Sequence, residues 1–218
     1  MKENIIKGLL FDLDGVLVDT AVYHYEAWLR LAKTMGFEFT EKQNEELKGI
    51  SRMDSLDKIL GWEKVIKTNA EKLALATKKN EWYVEMINKM TPEEVLPGAL
   101  EFLTLAHEAG YKMALGSASK NSGIILKHTN IAHFFDAIVD GNSVSKSKPD
   151  PEVFLKGAEL LNLSPAECVV FEDASAGIEA GKRAGMKTVG IGDQNILTQA
   201  DLVVTGLDKL SIEALKYL

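Results

Sequence analysis

The stretch Ile6-Lys7-Gly8-Leu9-Leu10-Phe11-Asp12-Leu13-Asp14-Gly15 decides how the rest of the chain is read. An apolar run closed by acid groups predicts a strand over residues 6–13, buried on both faces of a parallel sheet. Two carboxylates two residues apart point the same way along an extended segment. Gly15 permits the tight turn that leaves both at the rim. Placed close together, they suit an oxygen-loving divalent cation, Mg2+ above all. With metal and a phosphoryl group bound, one carboxylate can attack phosphorus while the other handles the proton of the transferring oxygen. The same spacing also serves a solvated Asp-x-Asp turn capping the next helix, and the spacing alone does not choose.

Beyond this strand, from about Val22 to Glu94, the character changes. Lys, Glu, Leu and Met dominate, and Trp28, Leu31 and Met35, then Trp82, Met86 and Met90, recur at helical spacing. No strand candidate interrupts this stretch. After Pro97-Gly98 the pattern alternates. Helices are predicted over 99–109, 120–128, 151–161, 176–184 and 209–218. Strands are predicted over 112–116, 137–139, 168–171, 188–191 and 202–204. Strands alternating with helices imply an α/β fold, a doubly wound parallel sheet covered on both faces. Residues 21–90 then form an all-helical insertion, and residues 1–20 with 91–218 form the core.

Sites in such sheets lie outside the carboxyl ends of the strands. Asp12 and Asp14, Ser117 and Ser119, and Glu172 and Asp173 all fall at predicted strand ends, and Lys148 follows the strand over 137–139. A net charge of −7 offers no field for nucleic acid or an anionic membrane. It would also repel a phosphorylated substrate, so a phosphate site must gather its own cations or a metal. The single Cys168 lies in an apolar run and reads as a buried, inert thiol. No signal-peptide pattern opens the chain and no apolar stretch nears the ~20 residues of a membrane span, so the expected location is a reducing cytoplasm. His107, His128 and His133 lack metal-ligand spacing. Gly177-x-x-x-Gly181 is explained by close helix–sheet packing.

Asp12-Leu13-Asp14-Gly15-Val16 followed by Asp19-Thr20 resembles the first motif of the haloacid dehalogenase superfamily. Ser117, Lys148-Pro149 and Glu172-Asp173 follow in that family's order, so the resemblance spans the chain. It implies a doubly wound core with a mobile cap inserted after the first motif. Five further pieces are similar to the helical-capped β-phosphoglucomutase family: residues 19–24, Leu47-Lys48-Gly49-Ile50-Ser51-Arg52, Asp54-Ser55-Leu56, Lys79-Asn80, and Ser117-Ala118-Ser119-Lys120-Asn121.

The resemblance implies roles position by position. Asp12 is the nucleophile that becomes phosphorylated, and Asp14 is the general acid/base. Mg2+ is held by the Asp12 carboxylate, the Asp14 backbone carbonyl and Asp173, with Glu172 a ligand or close neighbour. Ser117 and Lys148 bind the transferring phosphoryl oxygens. Arg52 grips the non-reacting phosphate, facing a loop of Ala118, Ser119, Lys120 and Asn121. His24 couples substrate binding to closure, Thr20 hydrogen-bonds the general acid, and Lys79, Trp28 and Gly49 help line the sugar site. The residues' own chemistry leaves other readings open. Thr20 and Ser117 could cap helices, His24 could pack on Trp28, and Arg52, Lys79 and Lys148 could be solvated charges. The implied partner is a small sugar phosphate, not nucleic acid or membrane, and a monomer is expected. The implied reaction interconverts β-D-glucose 1-phosphate and glucose 6-phosphate. Its rivals are a sugar-phosphate phosphatase and, remotely, a non-catalytic phosphosugar-binding protein.

Overall fold

In the computed structural model, which describes residues 6–218, the opening apolar run forms β1 (Gly8–Phe11), buried along its whole length. It pairs in parallel with β2 (Lys112–Gly116) on one side and β4 (Cys168–Glu172) on the other, Phe11 lying opposite both Leu115 and Phe171. Adding β3 (Ala137–Val139), β5 (Lys187–Ile191) and β6 (Leu202–Val204) gives a six-stranded parallel sheet in the order β3-β2-β1-β4-β5-β6. The chain first builds outward from β1 and then returns to its other side with β4. That reversal leaves a crevice at the carboxyl ends of the central strands.

Strands covered on both faces need apolar side chains on both, which is why β1 and β4 read as unbroken runs. The Phe11 and Phe171 rings stack at 4.5 Å, and Phe102 meets both edge-on from the helix Ala99–Glu108. Each such ring stabilises the fold by roughly 1.5–3 kcal/mol through burial.

Between β1 and the rest of the sheet lie α1 (Ala21–Thr34), α2 (Glu41–Glu45), α3 (Arg52–Trp62) and α4 (Asn69–Ile87). Local chemistry fixes their starts. Thr40 with Gln43, and Thr68 with Glu71, form reciprocal capping boxes, while Ser51 accepts from the Asp54 amide. Ala27, Trp28, Leu31 and Ala32 of α1 are buried, as are Ala76, Lys79, Trp82, Tyr83 and Ile87 of α4, on which α1 packs. Lys79 is the exception to the apolar pattern on that face.

Helices α5 (Ala99–Glu108), α6 (Ser122–Thr129), α7 (Glu152–Leu160) and α8 (Ser175–Arg183) complete the fold. Among the described residues, no helix is long and apolar enough to cross a membrane.

Three expectations need correction. The first strand stops at Phe11 instead of reaching Leu13: the Asp12 amide still donates to Phe171 O, but Gly15 turns the chain at φ +83° and its amide donates to Val18 O. Helix α6 starts at Ser122, not Lys120, because the preceding amides are taken by side chains. Ser119 N donates to Ser117 Oγ and Asn121 N to Ser119 Oγ, an alternative to helical pairing. The chain's end is two 3-10 turns, Leu207–Lys209 and Ile212–Tyr217, not an α-helix. Leu207 and Leu210 both turn inward at a spacing of three, which suits the tighter 3-10 winding.

Candidate active site

The carboxyl ends of β1, β2 and β4 open into a cavity of about 360 Å3, roofed by α1, α3 and α4. The turn after β1 supplies Asp12 and Asp14, the loop after β2 supplies residues 117–121, and the turn after β4 supplies Asp173. Lys148, reached through the loop after β3, is 3% exposed. Its Nζ donates to Asp12 Oδ1 and, at 2.7 Å, to Glu172 Oε1. Burial alone would lower the Lys148 ammonium, but attraction from Asp12 and Glu172 outweighs it and holds the proton more tightly than usual.

The acids crowd one another. Burial, followed by the Asp12 charge, pushes Asp14 up to about 6, although the Thr20 hydroxyl donates to its Oδ1. Burial raises Glu172 to about 7 against the pull of Lys148. Asp173 is pushed well above the usual carboxylate value by burial and by the charges of Glu172 and Asp12. Lys48 Nζ, 3.4 Å from Asp173 Oδ2, offsets part of this. Gly15 is required here for space as well as for its turn, since a Cβ would stand 2.1 Å from Asp173 Oδ2. Gly177 on α8 does the same for Glu172: a Cβ would stand 1.9 Å from Oε1. The helix can therefore start close enough for the Ala174 amide to donate to Glu172 Oε2 at 2.8 Å.

Whether these donors suit a divalent cation follows from their own chemistry. Among the described residues, no three acidic, His or Cys side chains converge into a ready-made cage. Glu172 explains part of that, being turned into Lys148 and the Ala174 amide. Magnesium does not need a cage: it binds through one or two carboxylates and keeps its remaining positions for water and phosphate oxygens. Asp12 and Asp173 both border the cavity, and both are hard oxygen donors. The residues fit.

The roof is built oppositely. Arg52 is the first residue of α3, half-buried and lining the cavity, and it forms no ion pair among the described residues. Lys79 is 2% exposed, so it is not a solvated charge. Its Nζ lies 2.8 Å from His24 Nδ1, 4.7 Å above the Trp28 ring and 4.6 Å from the Tyr83 ring. Burial, then Arg52, drives the Lys79 ammonium well below its ordinary value. Burial, then Lys79 and Arg52, drives His24 down as well, so its Nδ1 is free to accept. Thr20 precedes α1 yet caps nothing with its side chain, giving its hydroxyl to Asp14 instead. His24 packs on the Tyr83 ring at 4.2 Å. Ser117 is fully buried at the end of β2. Ala118, Ser119, Lys120 and Asn121 all line the cavity, and Asn121 Nδ2 donates to Asn80 Oδ1 of α4 at 2.8 Å. Gly49, at φ +74°, lets the α2–α3 loop approach Ala174, where a Cβ would come within 3.1 Å.

Lys48 and Tyr83 also face this cavity and were not singled out from sequence. The signals were present: Lys48 directly precedes Gly49, and Tyr83 lies four residues after Lys79 on the same helical face. Cys168 is buried, its thiol pushed up to about 11 by burial, and takes no part.

Comparison with known proteins agrees with this architecture. Residues 9–191 match the family model described as haloacid dehalogenase-like hydrolase. The chain is 45% identical to a β-phosphoglucomutase of Bacillus subtilis, over 96% of this chain and 94% of the relative. A crystal structure of β-phosphoglucomutase from Clostridium difficile superposes with a TM-score of 0.94 at 42% identity, covering 98% of this chain and 96% of the other. A phosphorylated carbohydrates phosphatase of Thermotoga maritima is 31% identical over 84% of each chain.

Proposed function

The chain belongs to the haloacid dehalogenase-like hydrolase family, and from that premise we propose that it is a phosphomutase interconverting β-D-glucose 1-phosphate and glucose 6-phosphate. The observation that carries this reading is one cavity with two unlike ends. At the floor, Lys148 and Ser117 accompany clustered acids; at the roof, Arg52 and Lys79 face in without a carboxylate of their own. A mutase must hold two phosphates at once, one reacting and one not. A phosphatase needs only the first.

In this mechanism phospho-Asp12 donates to the sugar's 6-hydroxyl: the Asp12 O–P bond breaks, the new O–P bond forms, and Asp14 takes the hydroxyl proton. The resulting β-glucose 1,6-bisphosphate turns around. Asp12 then attacks the 1-phosphoryl group while Asp14 returns its proton to the departing O1. A carboxyl near 6 suits both directions around neutral pH. Lys148 and Ser117 offset charge spreading over the equatorial phosphoryl oxygens. Asp12, Asp173 and the Asp14 backbone carbonyl, with Glu172 beside them, would hold magnesium, which would supply positive charge to offset repulsion between phosphate and carboxylate. Arg52 grips the distal phosphate through paired N–H donors. Residues 119–121 border the same space, and Lys79, His24, Trp28 and Gly49 shape the sugar site.

Residues 21–90 act as the cap over the core of 1–20 and 91–218, of which 1–5 lie outside the described residues. Closure excludes the water that would otherwise hydrolyse phospho-Asp12. The reading includes a monomer, supported by the single chain supplying both ends of the cavity, and a reducing cytoplasm.

The deciding experiment follows β-glucose 1-phosphate with trace bisphosphate and Mg2+ by phosphorus NMR. Glucose 6-phosphate is the expected product. Inorganic phosphate without it would replace the mutase by the phosphatase, and no turnover with tight binding would leave a binding protein.

Two further outcomes are expected. Arg52→Ala should lower kcat/KM for the sugar phosphate by about 10- to 100-fold, the weight of a lost charged hydrogen-bond pair. It should also raise the share of phosphate lost to water, and a product assay reads both. The raised acids give the second. Asp14 and Glu172 bind protons more tightly folded than unfolded, so their stability contribution is present at low pH and lost as pH rises through about 6 to 7. The lowered His24 and Lys79 act in the opposite sense over the same window, so the acids are read through the metal: Mg2+, which needs them ionised, should raise Tm more at about pH 8 than at about pH 5.5. Thermal melts across that range check the sign.

A further inference from the structure

Tyr83 sits on α4 one turn beyond Lys79 and is 1% exposed. Its ring is used on two sides, against the His24 ring at 4.2 Å and beneath the Lys79 ammonium at 4.6 Å. Its hydroxyl faces the Thr20 and Ser119 side chains without closing a well-formed hydrogen bond to either. Among the described residues it is the buried side-chain polar atom left without a hydrogen-bond partner. Phenylalanine would make the same ring contacts without burying an unpaired hydroxyl, an arrangement that destabilises a fold. Some other requirement keeps the oxygen there.

Its position suggests which. Tyr83 lines the cavity, its hydroxyl flanked by the Thr20 and Ser119 side chains and acted on by the charges of Asp14 and Arg52. It therefore stands between the acid floor and the cationic roof, at the level where a sugar ring bridging two phosphate sites must lie. A phenol both donates and accepts, as a sugar hydroxyl does.

We propose that the Tyr83 hydroxyl is a substrate-positioning group that completes its hydrogen bond with a hydroxyl or ring oxygen of the bound sugar phosphate. The inference rests on the sugar-phosphate reading above and adds a residue to it. A site built to pair a substrate hydroxyl discriminates strongly against anything that leaves its own polar group unpaired. Tyr83 would thus select for the sugar, whereas the floor selects for the phosphoryl group.

Tyr83→Phe tests this with three measurements on magnesium-loaded, full-length protein. The kcat/KM for β-glucose 1-phosphate should fall by about 10- to 100-fold, as for a lost substrate hydrogen bond. Phosphorylation of Asp12 by acetyl phosphate, which brings no sugar, should stay within about twofold of wild type. The Tm should rise by about 2–4 °C, because an unpaired buried hydroxyl is gone. Wild-type kcat/KM on the sugar phosphate in the variant would overturn the proposal. So would a lowered Tm with equal losses on both donors, the mark of a merely structural hydroxyl. If the sugar-phosphate reading itself fails, the wild-type protein will neither turn over nor bind glucose phosphate in calorimetry. That result rejects both ideas and is distinguishable from parity between the two proteins.

Discussion

Asp12→Asn is expected to form no phospho-enzyme and to lower turnover on the order of 10^5-fold, the scale seen when a covalent nucleophile is removed. The amide is nearly isosteric, so the turn at Gly15 and the amide bond to Phe171 O have no reason to move. What changes is charge. The carboxylate attracts Lys148 and repels Asp14, Glu172 and Asp173. Its removal leaves Lys148 still paired with Glu172 and lowers the repulsion felt by the other three acids. Activity should vanish while Tm holds or rises. Trapping of phosphate label after exposure to acetyl phosphate, alongside a thermal melt, separates this from a folding defect. Turnover within tenfold of wild type would mean that phosphorus is captured elsewhere.

The parts of this molecule legible in sequence are those whose cause is local. β2, β3 and β6 fall at the expected residues, and β1, β4 and β5 within a few, because buried parallel strands must be apolar on both faces. The capping boxes of α2 and α4 are written in Thr-x-x-Gln and Thr-x-x-Glu. Where a residue had two readings, the deciding partner lay far away in sequence. Nothing near His24 announces that Lys79, 55 positions on, will meet its ring nitrogen. Thr20 has the chemistry of a helix cap, and only the fold brings Asp14 within reach of its hydroxyl. The last segment misled for the opposite reason. Leu210 and Leu215 sit among good helix formers, but anchoring of Leu207 and Leu210 against the core leaves too little chain for a stable α-helix. Tyr83 is the hardest case, since an unpartnered hydroxyl is a property of the assembled cavity alone.

Lys148→Met should damage stability and catalysis together, and the two losses should respond differently to pH. Methionine keeps an unbranched apolar stem, one atom shorter, and loses the Nζ that lies 4.8 Å above the Phe154 ring. It removes a cation shared by Asp12 and Glu172, both nearly inaccessible to water. Breaking a buried ion pair from one side leaves uncompensated charge, a loss of about 3–5 kcal/mol when both acids are ionised. Glu172 already titrates near 7 with its lysine present, and without it must move higher still. The deficit relative to wild type should therefore be smaller at about pH 5.5, where Glu172 is protonated, than at about pH 8. The lysine's own proton is held above the ordinary range, so its contribution does not fade anywhere in that window. Turnover should fall by about 10^2- to 10^3-fold at every pH, because the transferring phosphoryl oxygens lose a preorganised positive group that protonating Glu172 does not replace. Lowering the pH is thus expected to recover part of the stability without rescuing rate. A Tm deficit independent of pH would remove the charge-balance account, and recovery of rate at low pH would take Lys148 away from the phosphoryl group.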